Sequence, residues 1–433
     1  MKSKILFFIT ITALCCTETI TSIITQHEKR DWTILIYMAA DNDLFIFSKR
    51  NLQQLLASSY YNTIHIAVCY FHKNSAQNKK VVHYYHIING TYVLIKEDID
   101  HKATNSGDEQ NVIDFCSTVF TQLPADNYAL FFWDHGTGPI NPIEKRNQLI
   151  DNKLTHFNST IMLHAKNNKK PSHHKSICFD DTHNSCLTEQ KLKYALSILC
   201  PLLPKKKFDL VGFDTCLMAT IEIASLIAPF ASYMVASQDL EPGTGWNYAK
   251  VLSIFTEEQK ISPFHFSCHI VEKFKETYHK KGDYTLSAFD LSHTQTIEYL
   301  SKMITKSLIV FLQNDSIFTI QDSRDPDECP HFFGTDYVDL IQFYKNLLKK
   351  IRNISKLPLT EEKQRLKYLL QQCIATASDW IIYNKTSNSH EPAHGVSIYF
   401  PMQYIHHSYK SNLFANNNAW LTFLYHYKEI FYE

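Results

Sequence analysis

Tyr128-Ala129-Leu130-Phe131-Phe132-Trp133 is an uninterrupted apolar run that ends in Asp134-His135-Gly136-Thr137-Gly138. Further along, Phe208-Asp209-Leu210-Val211-Gly212-Phe213 ends in the same manner, in Asp214-Thr215-Cys216. Short apolar runs that lack alternation fit strands buried on both faces. Each run delivers a reactive side chain at its carboxyl end, His135 in one case and Cys216 in the other. Ligand sites of open α/β sheets form at those ends, above all where the strand order reverses. Two such strands in one parallel sheet bring both side chains to one edge.

The rest of the chain supports that sheet. Trp32 to Met38 is another apolar run, closed by Asp41-Asn42-Asp43. Residues 44–59 carry apolar positions at helical spacing, and Ile64 to Tyr70 predicts a second strand. Val81 to Ile87 and Thr91 to Ile95 flank Asn89-Gly90, a strong hairpin signal. Helices are predicted over 108–123, 188–203 and 217–228, the last stopped by Pro229, with further strands at 176–179 and 233–236. Alternating strands and helices indicate an α/β sandwich around a mostly parallel sheet. The segment 31–250 is read as the catalytic domain. Residues 251–433 are more helical, with strands near 284–289 and 395–400, and are read as an added C-terminal subdomain packed on it. The polar, basic stretch 139–176 is too long for an ordinary loop and reads as an insertion.

Bulk properties exclude several classes. The chain has 433 residues, 45% hydrophobic, with 43 basic and 43 acidic side chains and a formal net charge of +0. That balance gives no footprint for nucleic acid or an anionic membrane. With 10 glycines, the chain shows neither GxGxxG nor GxxxxGK[ST]. Lys2, Lys4 and the apolar run Ile5 to Leu14 read as an export signal over residues 1–16, too short to span a bilayer of about 30 Å. Cys15 and Cys16 follow at once. Small residues do not precede them as a lipid anchor requires, so simple cleavage is expected ahead of lipidation at either one. No later stretch reads as a membrane span. The 11 cysteines are irregularly spaced, which is not the pattern of a disulfide scaffold.

The chemistry rests on His135 and Cys216. Cys216 is placed at the start of the helix expected over 217–228, whose dipole would favour thiolate over thiol. Imidazole supplies acid–base capacity. Gly136 leaves room for a substrate backbone. Its N–H and that of Cys216 are expected to form an oxyanion hole, with donors worth about 2.7–4 kcal/mol each. Taken singly, each residue has a structural explanation; a strand-end cysteine is more often packing than chemistry.

Five segments carry a resemblance: DWTILIYMAADNDL (31–44), FFWDHGTG (131–138), FDTCLMATIEI (213–223), SQDLEPGTGWNY (237–248) and GVSIYFP (395–401). Together, in this order, they resemble the clostripain family of cysteine peptidases. The resemblance implies a caspase-like α/β/α sandwich and a Cys–His dyad of Cys216 and His135. It implies cleavage after arginine or lysine, for which Asp214 matches the acid two positions before the nucleophile. A buried cation must be paired, so such a pocket needs carboxylates. The alternative for Asp214 is an N-cap of the Cys216 helix. Some relatives carry a second acid where this chain has Thr244; Asp239 and Glu241 are the nearby candidates to replace it. Family members also mature by self-cleavage between the two strands, which points to Arg146, Lys169 and Lys170 as processing positions.

The expected protein is therefore a secreted, periplasmic or surface endopeptidase acting on proteins or peptides. It is expected to be a monomer, with no required cofactor and with no metal at the dyad. Two other classes compete: a catalytically silent caspase-like binding protein and a metal-dependent hydrolase. The second would draw on the loose cluster His173, His174, Cys178, His183 and Cys186, whose spacing fits no standard zinc finger. Asp180-Asp181 could support calcium, which some relatives require; the alternative is a turn leading into a helix.

Overall fold

The computed structural model of the protein describes residues 27–57, 63–74, 79–140, 177–256, 260–312, 317–353, 361–402 and 404–432. Five strands lead: β1 (Arg30–Ala39), β2 (Ile64–Asn74), β3 (Lys79–Ile88), β4 (Thr91–Asp98) and β5 (Ala125–Trp133). A separate small hairpin follows, β6 (Ile177–Asp180) with β7 (Ser185–Leu187). The chain then supplies β8 (Phe208–Asp214), β9 (Ala231–Ala236), β10 (Thr285–Asp290), β11 (His331–Phe332), β12 (Tyr337–Asp339), β13 (Ile381–Thr386) and β14 (Ser397–Tyr399). One nine-stranded sheet runs in the order β13-β10-β9-β8-β5-β1-β2-β3-β4, while β11, β12 and β14 form a sheet of their own.

The centre of the large sheet, from β9 to β2, is parallel. The strands on both flanks, β3 and β4 on one and β10 and β13 on the other, are antiparallel. The middle of the sheet is parallel as expected, the β3–β4 edge is the hairpin expected at Asn89-Gly90, and the antiparallel β10–β13 edge was not foreseen. Physical cause is visible at β3 and β4: Asn89 and Gly90 both have positive φ, 49° and 71°. Such a two-residue turn joins antiparallel strands only.

The helices are α1 (Phe45–Ala57), α2 (Glu109–Gln122), α3 (Glu189–Leu199), α4 (Ile221–Ile227), α5 (Tyr248–Val251), α6 (Pro263–Tyr278), α7 (Thr294–Leu312), α8 (Ile317–Ser323), α9 (Leu340–Asn353), α10 (Glu361–Trp380), α11 (Leu413–Asn418) and α12 (Trp420–Tyr432). They cover both faces of the sheet. Trp32, Ile34, Ile36 and Met38 of β1 pack with side chains of α1, α5 and α6. Leu35, Tyr37 and Ala39 point the other way, into a core shared with α2, α3, α4, α7, α9, α10 and α12. A strand with period-two alternation and two buried faces must be apolar throughout, which explains the unbroken runs. Polar N-caps start the helices: Asp108 accepts from the Gln110 N–H, and Thr188 from the Lys191 N–H.

β1 has β2 on one side and β5 on the other. The order of sheet building therefore reverses between β1 and β5, and the loops after these strands part at that point. The residues beyond position 250 are not peripheral to the large sheet, since β10 and β13 complete one of its edges.

Candidate active site

β5 and β8 are neighbours in parallel, with Trp133 in register with Asp214. The Asp134 N–H donates to the Asp214 carbonyl at 3.3 Å, so the pairing continues past the last strand residue. His135 and Cys216 are each two residues beyond that register pair, at one edge of the sheet. Gly136 sits where the two strand ends touch. A Cβ built on it would lie 2.2 Å from the Cys216 carbonyl oxygen. The space that glycine provides is thus taken by the backbone of Cys216 itself, not by substrate. Gly136 also makes an isolated antiparallel bridge to Ile177 of β6.

Cys216 does not begin a helix, contrary to expectation. α4 starts at Ile221, where Thr220 caps it by accepting from the Ile223 N–H at 3.2 Å. Between strand and helix the chain turns through Leu217, whose φ is +64°. The dipole effect falls off within one turn, so it does not reach this thiol. Nor is Asp214 an N-cap of that helix. Burial pushes the Cys216 thiol up to about 12. The Glu241 N–H opposes this by donating to Sγ at 3.2 Å, while the charges of Glu241, Asp239 and Asp214 add to the rise.

His135 is held by a residue of a third strand end. Asp43, in the turn after β1, accepts from Nε2 at 2.7 Å. A carboxylate can only accept, so the proton is on Nε2 and Nδ1 is the basic nitrogen. Desolvation lowers the affinity of this imidazole for a proton, but the Asp43 hydrogen bond and the charges of Asp134, Asp43 and Asp181 together outweigh it and raise its pKa. Asp134 is itself buried. It accepts from Asn42 Nδ2 at 2.7 Å and from the Phe179 N–H. Asn42 also donates to the carbonyls of Ala39 and Phe179 at 3.1 Å. The β1 turn, the β5 end and β6 are stitched together by these bonds. The Phe179 ring meets the imidazole edge-on at 5.6 Å.

Asp214 and Glu241 form a pair of enclosed acids below Cys216. Asp214 accepts from the Trp246 N–H and from Tyr248 Oη, both at 2.9 Å. Burial raises its carboxyl to about 7 against those donors. Burial, and then the charge of Asp214, push Glu241 well above the usual carboxylate range. Neither carboxyl oxygen of Glu241 has a hydrogen-bond donor in good geometry. Gly245 has φ +57°, and a Cβ there would fall 2.6 Å from Asp214 Oδ1, so only glycine lets the loop close over the acid. Thr244 turns away and shares a 2.7 Å hydrogen bond with Tyr278 Oη. Asp239 lies apart from this pair. Its carboxylate is 2.9 Å from His390 Nε2, and its carbonyl accepts from the Leu217 N–H at 3.2 Å.

The structure thus brings together His135, Gly136, Cys216, Asp214 and Glu241, with Asp239 adjoining through Leu217. Asp180 is elsewhere occupied. It accepts from Lys80 Nζ at 2.5 Å, from His183 Nδ1 at 2.7 Å and from the Ser106 N–H at 3.0 Å. Cys178 and Cys186 are buried in the small hairpin. Among the described residues no cluster of three or more His, Cys, Asp or Glu is arranged to hold a metal. His173 and His174, the processing positions Arg146, Lys169 and Lys170, and the signal with Cys15 and Cys16 lie outside the described residues. Among the described residues no helix is long and apolar enough to cross a membrane.

Three site residues escaped the sequence: Asp43, Trp246 and Tyr248. For Asp43 a signal existed. Asp41-Asn42-Asp43 closes an apolar strand as Asp134-His135 does, and adjacent parallel strands put such endings side by side.

Known proteins share the sequence pattern and the fold of this chain. The model of the clostripain family matches residues 36–157 and 163–428. Clostripain of Hathewaya histolytica is 24% identical over 339 residues, which cover 69% of this chain and 57% of that protein. The chain therefore spans little more than half the length of this curated relative. A secreted C11 cysteine protease from Bacteroides thetaiotaomicron, solved with an irreversible peptide inhibitor, superposes with a TM-score of 0.59 at 18% identity, covering 90% of this chain and 99% of that one. An inactive zymogen C11 protease from Parabacteroides distasonis gives 0.57 at 18% identity, covering 93% and 99%. At such identity the two superpositions establish the fold. The family model spans most of the chain, strand ends and acid loop included, and the chain belongs to the clostripain family.

Proposed function

We propose that this protein is a cysteine endopeptidase that hydrolyses peptide bonds after arginine or lysine, with Cys216 as nucleophile and His135 as acid–base group. The observation that carries the reading is the register of β5 and β8, which sets both residues at one sheet edge above two enclosed acids. Among the described residues Asp214 and Glu241 have no ion-pair partner, and the guanidinium or ammonium of a substrate side chain would supply one.

The resting thiol is neutral, so attack begins with proton transfer. Nδ1 of His135 takes the Sγ proton as sulfur bonds to the scissile carbonyl carbon. The carbonyl oxygen becomes an oxyanion, for which the backbone N–H groups of Cys216 and Gly136 are the candidate donors. Collapse breaks the C–N bond, and His135 returns its proton to the leaving amine. Water, deprotonated by His135, then hydrolyses the thioester and restores the thiol. Asp43 holds the imidazole in one tautomer throughout.

The basic start and apolar run read as an export signal over residues 1–16 support an activity outside the cytoplasm. Self-cleavage after Arg146, Lys169 or Lys170 is the proposed maturation step, and a chain that is fully active uncut overturns it. Calcium is proposed as an accessory at most, tested by a chelator arm. The deciding experiment compares fluorogenic arginine, lysine and neutral peptides on the mature chain and on Cys216→Ala. Turnover of basic peptides lost with the sulfur supports the reading. Turnover retained by Cys216→Ala refutes it, and inactivity of the intact dyad towards every peptide favours a silent binding protein.

A further inference from the structure

A second acid-lined recess lies on the face of the sheet covered by α3, α4, α7 and α11, and none of its lining residues belongs to the site around Cys216. Its volume is about 320 Å³. Three carboxyl groups line it: Glu189 from α3, Glu222 from α4 and Glu298 from α7. Glu222 is 1% exposed. Its Oε1 accepts from the Tyr399 N–H at 3.0 Å and from Tyr409 Oη at 2.7 Å, yet its enclosed Oε2 has no hydrogen-bond partner in good geometry among the described residues. Glu189 is 8% exposed and accepts from Asn412 Nδ2 at 2.6 Å. A buried carboxyl oxygen with no donor costs stability unless something binds it.

The other walls are apolar. Leu226 and Phe414 are buried beside the acids, and the Tyr299 ring stands at the mouth, 62% exposed. Carboxyl groups set among aliphatic and aromatic side chains, with room for several non-hydrogen atoms, match an alkylammonium ion better than a bare metal ion. Among the described residues no acid group has metal-binding geometry.

We infer that this recess binds a small organic cation, a primary amine or guanidine on a short apolar chain, with Glu222 Oε2 and Glu298 as the charge-recognising groups. The charged and titratable groups that face such a ligand are Glu189 and Lys193 of α3, Glu222 of α4, and Glu298, Tyr299 and Lys302 of α7. α11 contributes uncharged side chains. The two lysines make no ion pair with these acids among the described residues. Burial, followed by the charge of Glu222, raises Glu189 to about 8, and burial raises Glu222 and Glu298. A cation favours the ionised acids, so its affinity should rise with pH as they lose protons, Glu189 doing so around pH 8.

The test is calorimetric titration of the full chain with 1,5-diaminopentane, and in parallel with 1-pentanol and with calcium chloride. The expected result is saturable diamine binding that tightens with pH, survives Glu241→Gln, and weakens about tenfold or more in both Glu222→Gln and Glu298→Gln. Glu298 is only partly buried, so its variant remains informative should Glu222→Gln fail to fold. Binding lost in Glu241→Gln but intact in Glu298→Gln assigns the amine to the pocket beside Cys216 and overturns the inference. So does equal binding of pentanol, a preference for calcium, affinity that falls as pH rises, or no saturation up to the order of 10 mM.

Discussion

The Glu241 backbone N–H donates to Cys216 Sγ at 3.2 Å, while the carboxyl of the same residue is buried against Asp214. One residue therefore joins the sulfur to the acid pocket. In the proposed mechanism, a cation bound by these acids and the attacking sulfur would be mechanically linked through a single stretch of backbone.

Under the proposed cleavage after basic residues, protonation of the acid pair should set a pH dependence on selectivity. Asp214 is raised to about 7, so the pocket loses negative charge as pH falls through neutrality. The ratio of kcat/KM for an arginine peptide over a norleucine peptide should fall about tenfold from pH 8 to pH 6. Asp214→Asn should remove the dependence, and Glu241→Gln should reduce the ratio by about tenfold or more at pH 8. A ratio constant across this range in the unmodified protein would show that these acids do not meet the substrate.

Asp43 tunes His135. Its removal in Asp43→Asn should lower the imidazole pKa and move the acid limb of the kcat/KM profile to lower pH, with the plateau reduced about tenfold by lost orientation. The stability consequence has a definite sign. A histidine raised in the folded state contributes stability below about pH 6.5 that is lost as pH rises through its folded pKa. Asp43→Asn should therefore cost stability mainly on the acid side, by less than about 1 kcal/mol because Asp43 is largely exposed. Denaturant titrations at pH 5.5 and pH 8.5 measure it.

Gly136→Ala should separate the strand ends. The added methyl would meet the Cys216 carbonyl at 2.2 Å, against backbone that cannot swing aside as a side chain can. A destabilisation on the order of 2 kcal/mol and a loss of activity of about a hundredfold or more are expected. Circular dichroism with peptide turnover tests this, and full activity would mean that the two loops need not touch.

At the other end of β2 and β3, His65 and His86 are buried side by side, 0% and 1% exposed, with ring centroids 5.2 Å apart. Desolvation lowers them to about 4 and about 3. The unfolded chain binds protons near pH 6.5 while the folded chain does not, so stability should fall as pH drops from about 6.5 to about 4. His86→Phe should flatten that slope, because Nδ1 of His86 has no hydrogen-bond partner among the described residues. Melting temperatures across this range decide it.

Much of the site was legible because an apolar strand has one register. Once 128–133 and 208–213 lie side by side, the ends follow, and His135 and Cys216 need no tertiary information beyond adjacency. Asp214 and Glu241 were brought into view only by the resemblance, which left Asp239 and Glu241 as equal candidates. What the sequence hid depends on three-dimensional closure. Leu217 to Ala228 has apolar spacing good enough for a helix throughout, but Leu217 takes a left-handed conformation and the cap falls at Thr220. Local propensity does not record that the Cys216 loop must bend back to meet Asp239 and Glu241. Asp43 was overlooked because an acid after a strand is an ordinary boundary until its neighbour is known to be a histidine. The β3–β4 edge was legible from Asn89-Gly90 and β10 from its apolar run, but β13 lies in a helical stretch and pairs with β10 across a long separation.

That last pairing governs the order in which the molecule can be completed. Thr285 lies opposite Thr386, so β10 waits for β13 while about a hundred intervening residues are made and folded. Asp43, His135, Cys216, Asp214 and Glu241 all precede residue 381. A nascent or truncated chain can hold every one of these chemical groups and still present β10 as a bare hydrogen-bonding edge, a template for sticking to other chains. The arrival of β13 thus ties the C-terminal segment to the covering of β10, in a protein whose site residues are complete long before it.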